Sequence, residues 1–337
     1  MSDGSLFDHL DALTDRFGTF EHADHATPRR EHGYCVDDVA RVLVVTAREV
    51  EPSAQVRRLA TGALAFLRDS QVPSGAVRNR RAADGCWMSR PSVQDCWGRS
   101  LWGLGVAASS AHPSIGAEAL TLFERGAALR SGWSRSMAYA SLGAAAVLER
   151  DATNGVALEL LADAADAMVA GSIEDHAWPW PEPRLAYANA LLPEAMMAAG
   201  AALGHGDLVR RGLNLLKWLL ARETVDGHLS VTPVGGSGPG EVGPGFDQQP
   251  IEVASMADAC ARAATLDDSN VWLTGIEMAL AWFEGANDVG LVLWDPESGG
   301  GFDGLGATYV NVNMGAESTL AALSVRQQAR AHRLVSA

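Results

Sequence analysis

The sequence predicts an all-α protein, a double-ring (α/α)6 barrel of six helical hairpins, with a small β-hairpin in the long loops. Three observations carry this reading. Segments with a polar start and an Ala-rich body recur six times along the 337 residues. Six more conventionally amphipathic segments alternate with them, which suits an inner ring packed on both sides and an outer ring with one wet face. Connections leading into several inner segments are long and rich in Gly, Pro and Trp, whereas those leading out are short. Loops so unequal favour a closed barrel over a divergent α-solenoid. A barrel of this length forms one unit, residues 1–337.

Leu6, Leu10, Leu13 and Phe17 fall at helical spacing and predict a first helix from about Leu6 to Phe17. A His- and Arg-rich loop from Glu21 to Tyr34 leads to the first inner segment, Cys35-Val36-Asp37-Asp38-Val39-Ala40-Arg41, which runs from about Val36 to Val50. Its partner covers about Ala54 to Arg68. In the connection from Gln71 to Ser92, the turn signals Pro73-Ser74-Gly75 and Asp84-Gly85 flank Ala76 to Asn79 and place the β-hairpin there. The second inner segment opens at Val93-Gln94-Asp95-Cys96-Trp97-Gly98-Arg99, with a partner at about Ile115 to Leu129. The third opens at Gly132 and runs to Leu148, with a partner at about Asn154 to Val169.

Trp178-Pro179-Trp180-Pro181-Glu182 leads the fourth inner segment, which passes Tyr187 and Asn189 and ends near Leu203. Pro193 within it marks a kink or a late helix start. Its partner spans about Leu208 to Arg222. Behind a Gly/Pro-rich loop, Val234 to Gly245, the fifth opens at Phe246-Asp247-Gln248-Gln249-Pro250-Ile251-Glu252 and ends near Ala264; its partner runs from Asn270 to Phe283. The sixth follows a Gly-rich loop from Asn287 to Thr308, carries Asn313-Met314-Gly315-Ala316-Glu317 and ends near Arg330. The N-terminal helix supplies its outer member.

Apolar residues make up 47% and charged residues 20%, enough for a large core and against disorder. The formal net charge of -15, with Lys217 the only lysine, argues against nucleic acid and anionic membranes as partners. The apolar runs are interrupted and amphipathic, so no membrane insertion is expected. Met1 to Ser5 lacks the basic and apolar regions of a signal peptide, which makes a cytoplasmic location the expectation. Four cysteines without CxxC spacing read as free thiols, and a zinc site from Cys35, Cys86 and Cys96 has no spacing signature. No metal and no cofactor are called for.

The inner-helix N-termini and the long loops share one face, the usual place for a site. There the sequence collects Asp37, Asp38, Asp95, Glu182, Asp247, Glu252 and Glu317. Carboxylates so crowded repel, which raises some pKa values and leaves a neutral acid beside an ionised base, the pair glycoside hydrolysis needs. Trp87, Trp97, Trp133, Trp178, Trp180 and Trp294 would offer faces for sugars. Plain capping accounts for any single acid at a helix start, stabilising by ~1 kcal/mol, so Asp37 and Asp38 divide into one cap and one substrate-facing group. Glu252 and Glu317, inside apolar segments, either pair with Arg41, Arg99 or Arg135 or act directly.

At His32-Gly33-Tyr34-Cys35-Val36-Asp37-Asp38, Trp178 to Glu182, Phe246 to Glu252 and Asn313 to Thr319, the sequence resembles the six-hairpin glycosidase superfamily. More narrowly, it is similar to bacterial α/α-barrel proteins found alone or fused behind group 1 glycosyltransferases. The resemblance implies inverting hydrolysis by an acid/base pair roughly 6.5–9.5 Å apart. It also marks two departures: Val39 stands where Asn usually follows the two acids, and Ala188 where an acid usually precedes the Asn of the fourth helix.

The sequence therefore points to a glycoside hydrolase acting on a bacterial oligosaccharide or glycoconjugate. Asp38 and Glu252 are the leading catalytic residues, with Asp95, Glu182 and Glu317 competing. Substrate contacts fall to Asp37, Arg41, Trp97, Arg99, Trp178, Trp180, Tyr187, Asn189, Asp247, Gln249 and Asn313. One alternative is a sugar epimerase or isomerase, which would need two histidines facing each other across the cavity, with His32 and His176 the candidates. Another is a non-catalytic glycan-binding barrel that partners a glycosyltransferase.

Overall fold

The computed structural model describes residues 6–110, 113–170, 177–241 and 243–335. Among these lie twelve α-helices. In chain order they are α1 (Asp8–Ala12), α2 (Val36–Ala47), α3 (Ala54–Ser70), α4 (Asp95–Ser109), α5 (Pro113–Ala127) and α6 (Ser134–Arg150). There follow α7 (Gly155–Ala170), α8 (Leu191–Leu203), α9 (Gly206–Arg222), α10 (Pro250–Ala264), α11 (Val271–Phe283) and α12 (Ala316–Ala331). Even-numbered helices form the inner ring: each packs on the next, and α12 packs back on α2 to close it. Odd-numbered helices pack outside, each against its inner neighbour. This is the (α/α)6 barrel.

Local chemistry sets the boundaries. Ser53 caps α3, its hydroxyl oxygen accepting from Val56 N at 3.2 Å. Pro250 opens α10 at a position where its missing N–H costs no hydrogen bond. Pro193 falls in the first turn of α8 because that helix begins only at Leu191, so it marks a late start rather than a kink.

Small residues let the inner helices touch. A Cβ built on Gly143 of α6 would lie 2.2 Å from Leu101 O of α4, and one on Gly105 of α4 would lie 2.2 Å from Gly143 O. Backbone cannot yield as a flexible side chain does. Gly143→Ala is expected to destabilise the chain by about 1–3 kcal/mol, read as a lower urea midpoint; an unchanged midpoint would contradict this packing.

One sequence expectation needs correction. The first helix ends at Ala12, not near Phe17. Asp15 accepts from Phe17 N at 2.8 Å and Gly18 takes a positive φ of 153°, so this Asp-to-Gly turn folds Thr14–Asp15 back onto Gly18–Thr19. The β-hairpin expected around Ala76 to Asn79 is present as antiparallel bridges from Val77 to Gln71 and Ser92, and a further strand, Arg80–Arg81, pairs with Tyr34–Cys35 beside the mouth of α2. Gly33 permits that approach, since a Cβ there would meet Arg81 O at 2.2 Å. All four cysteines are free, three of them buried. No helix among the described residues is long and apolar enough to cross a membrane.

Candidate active site

The long connections into the inner ring gather over the N-termini of α2, α4, α10 and α12. Beneath them opens a cavity of about 490 Å³. Asp37, Asp38 and Arg41 reach it from α2, Asp95 and Arg99 from α4, Gln249 and Pro250 from the start of α10, and Glu317 and Ser318 from α12. Asn313 lines it from the preceding loop, where its Oδ1 accepts from His25 N at 2.9 Å. The helix ends collect acids here because their free N–H groups and partial positive charge favour them.

Arg41 ties two acids together. Its Nη2 donates to Glu317 Oε2 at 2.7 Å and lies 3.6 Å from Asp38 Oδ1. Asp38 is almost fully buried, and burial pushes its carboxyl up to about 7; Arg41 and Arg99 pull the other way, while Glu317 and Asp37 add to the rise. Glu317 is 43% exposed. The part of it that the cavity wall covers works against its charge, but Arg41 and Arg99 outweigh that and hold its carboxyl below the ordinary range, and the solvent reaching the exposed part favours the same ionised form. A neutral acid and an ionised carboxylate thus stand within reach of one guanidinium.

Asp37 does not act as a simple cap. Its Oδ2 accepts from the Cys35 thiol at 3.2 Å and from Asn79 Nδ2 at 3.1 Å, and its Oδ1 lies 3.6 Å from Arg99 Nε. Arg99 lays its guanidinium over the Tyr139 ring, 4.4 Å from the centroid. Glu21, Cys35 and Asp38 bring possible ligand atoms within 4.8 Å of one another. Glu21 is engaged by Arg80, and burial with the charges of Asp37 and Asp38 pushes the Cys35 thiol well up, so the trio fits a hydrogen-bonding cluster better than a cation site.

Other sequence candidates lie elsewhere. Glu252 is 5% exposed and stands outside the cavity lining. Its Oε1 accepts from Ala188 N at 2.6 Å, and its Oε2 from Asn189 N at 3.2 Å and Asn189 Nδ2 at 3.3 Å. It therefore pins the turn into α8, where Ala188 takes a φ of 45°. Glu182 accepts from Arg135 Nη1 at 2.6 Å and from Ser134, and borders a separate recess of about 300 Å³ beside Trp133. Tyr187 donates its hydroxyl to Asp95 and lies under Arg135, which puts it at the rim. Asp247 accepts from the Tyr309 hydroxyl at 3.5 Å.

The expected aromatic platform is absent from the described lining. Trp97 is fully buried and donates to Gly126 O at 3.1 Å, and Trp180 stacks on Trp218 in the core. Trp178 is 6% exposed, edge-on to Trp218. These rings pack helices. Conversely, sequence reasoning missed Glu21, His22, Arg29, Arg80, Asn311 and Asp303. Asp303 accepts from Gly315 N at 2.8 Å and from the Ser318 hydroxyl, which fixes the mouth of α12. Val39 faces the core, 1% exposed, and is not part of the lining.

Among the described residues, no two histidines face each other across the cavity. His22 is the one histidine among the described lining residues, and His32 packs edge-on against it with centroids 5.0 Å apart. His176 lies outside the described residues.

Buried acids also set a pH dependence. Burial raises Glu223 to about 7 and Glu252 to about 8, alongside Asp38. Each raised carboxyl keeps its proton in the folded chain over a range where the unfolded chain, near pH 4, has lost it. The contribution of these three groups to stability is therefore greatest below about pH 4 and is lost as pH rises to about 7–8. Urea midpoints are expected to drop between pH 5 and pH 8, by on the order of 1 kcal/mol per group. A midpoint that rises over this window would contradict the burial of these acids.

The closed double ring of twelve alternating helices is the (α/α)6-barrel fold. No family model matches the sequence, and no curated protein does. Among solved structures, the chain is similar to a sugar epimerase from a ruminal bacterium, at 13% identity and a TM-score of 0.72, covering 97% of both chains. It is similar also to a cellobiose 2-epimerase from Bacillus thermoamylovorans, at 11% identity and a TM-score of 0.73, covering 97% of this chain and 95% of that one. A GH76 α-mannanase from Bacteroides thetaiotaomicron matches at 11% identity and a TM-score of 0.65, covering 97% of this chain and 93% of that one. At these identities the likeness is one of fold.

Proposed function

We propose that the chain is a carbohydrate-active enzyme, a glycoside hydrolase acting on a bacterial oligosaccharide or glycoconjugate, with the cavity over α2 and α12 as its active site. One observation carries the reading: Asp38 and Glu317 meet at Arg41, and their surroundings push their protonation in opposite directions. Pairs of acids separated in this way divide into a proton donor and a base. Asp38 protonates the glycosidic oxygen as it leaves. Ionised Glu317 draws the proton from the attacking water or stabilises the developing positive charge at the anomeric carbon. Asp37 and Gln249 hold hydroxyls. Asp95, fixed by Tyr187, bounds the site.

The likeness to sugar epimerases supports a second reading, in which His22 carries a proton to and from the sugar carbon. Product size separates the two. A panel of oligosaccharides incubated with the native chain, Asp38→Asn and Glu317→Gln should yield new reducing ends from the native chain alone. Isomers of unchanged length, formed by all three proteins, would remove the hydrolase reading and leave the epimerase one. A barrel that binds glycan beside a glycosyltransferase predicts binding without either product.

A further inference from the structure

Two guanidiniums in the cavity wall are left short of acceptors. Arg41 and Arg99 are 6% and 5% exposed, and both line the cavity. The Nε and Nη1 of each are buried with no hydrogen-bond partner. Glu317 occupies only Nη2 of Arg41, and Asp37 stops 3.6 Å from Arg99 Nε, beyond hydrogen-bond reach. Buried donors without acceptors cost free energy unless a ligand supplies the oxygens; the two guanidiniums repel each other, although Glu317 and Asp38 outweigh that repulsion at Arg41. Asp38 offers little negative charge below neutral pH, while Asp95, a further acid in the lining, acts on Arg99. Arg29, half exposed at the mouth and 3.8 Å from its nearest acid, adds a further positive group on the way in.

We infer that the substrate carries an anionic group, a carboxylate or sulfate on the sugar, and that Arg99 together with Arg41 reads it. A planar carboxylate matches the guanidinium fork in two parallel bonds, and such charge-assisted pairs are about twice as strong as neutral ones. Tyr139 keeps the Arg99 plane in register from beneath. This inference rests on the hydrolase reading for the site but makes its own claim about recognition.

Titration calorimetry at fixed ionic strength tests it, with methyl glucuronide, methyl glucoside and glucose 6-sulfate as probes. Native protein should bind the glucuronide or the sulfate roughly tenfold more tightly than the glucoside. Tighter sulfate binding supports the site and assigns a sulfated sugar; tighter glucuronide binding assigns a uronate. Arg99→Gln should erase the preference, and Arg99→Lys, which keeps the charge but not the fork, should leave part of it. Equal binding of charged and neutral probes, binding of none of them, or a preference that survives Arg99→Gln overturns the inference. If the variants do not fold, the native preference alone decides. Turnover of a neutral glycan that depends on Asp38, with no anion preference, would remove this inference and leave the hydrolase reading standing. Anion binding that depends on Arg99, without turnover, would do the reverse.

Discussion

Asp38→Asn is expected to lower kcat by about 10²–10⁴-fold, the usual contribution of a positioned proton donor, while the chain stays folded. Asn fills the same volume in a site that is 3% exposed. Folded Asp38 holds its proton up to about pH 7, whereas in the unfolded chain it loses it near pH 4. Above pH 7 the native chain therefore carries the cost of an ionised buried carboxylate, which Asn does not. The variant should be at least as stable as the native chain at pH 8 and nearly inactive. If Asp38 served only to pair with Arg41, the same change would lower the urea midpoint and spare turnover. Native kcat/KM should also fall on the alkaline side, as the donor loses its proton near pH 7.

Glu252→Ala should act on stability instead. Removing this carboxylate strands three donors, Ala188 N, Asn189 N and Asn189 Nδ2, in a region where Ala188 is 0% and Asn189 1% exposed. At about 1–3 kcal/mol for each buried group left without a partner, the expected loss is roughly 3–5 kcal/mol. Ala188 sits in the left-handed region, so the turn also loses what holds its backbone there. Glu252→Gln keeps one acceptor oxygen and should be milder, with turnover largely retained. A Gln variant that folds normally but is as inactive as Asp38→Asn would return Glu252 to the chemistry.

The inner and outer rings were legible because their hydrophobic periods are long; Pro193, read as a kink or a late start, falls in the first turn of α8. The N-terminal helix misled because Leu13 and Phe17 keep helical spacing although the Asp15 turn has already reversed the chain. Of the seven acids collected at the inner-helix mouths, Asp37, Asp38, Asp95 and Glu317 line one cavity, while Glu182, Asp247 and Glu252 do not. Pattern alone could not tell Glu317, met by a guanidinium, from Glu252, bound by backbone N–H groups far away in sequence. Trp97 and Trp180 looked like sugar platforms because nothing local marks a ring that packs between helices. Glu21 and Asp303 were missed since loops carry no period; the only hint was the polar, Gly-rich character of the loops that hold them.

The central claim is that Asp38 and Glu317 flank the bond that is broken. A crystal structure of Asp38→Asn soaked with an oligosaccharide that the native chain cleaves tests it directly. The predicted result places the glycosidic oxygen within hydrogen-bond distance of residue 38, with Glu317 facing the anomeric carbon or its attacking water. A sugar bound beside Trp133 and Glu182, or one whose glycosidic bond lies out of reach of both carboxyl positions, would contradict the account.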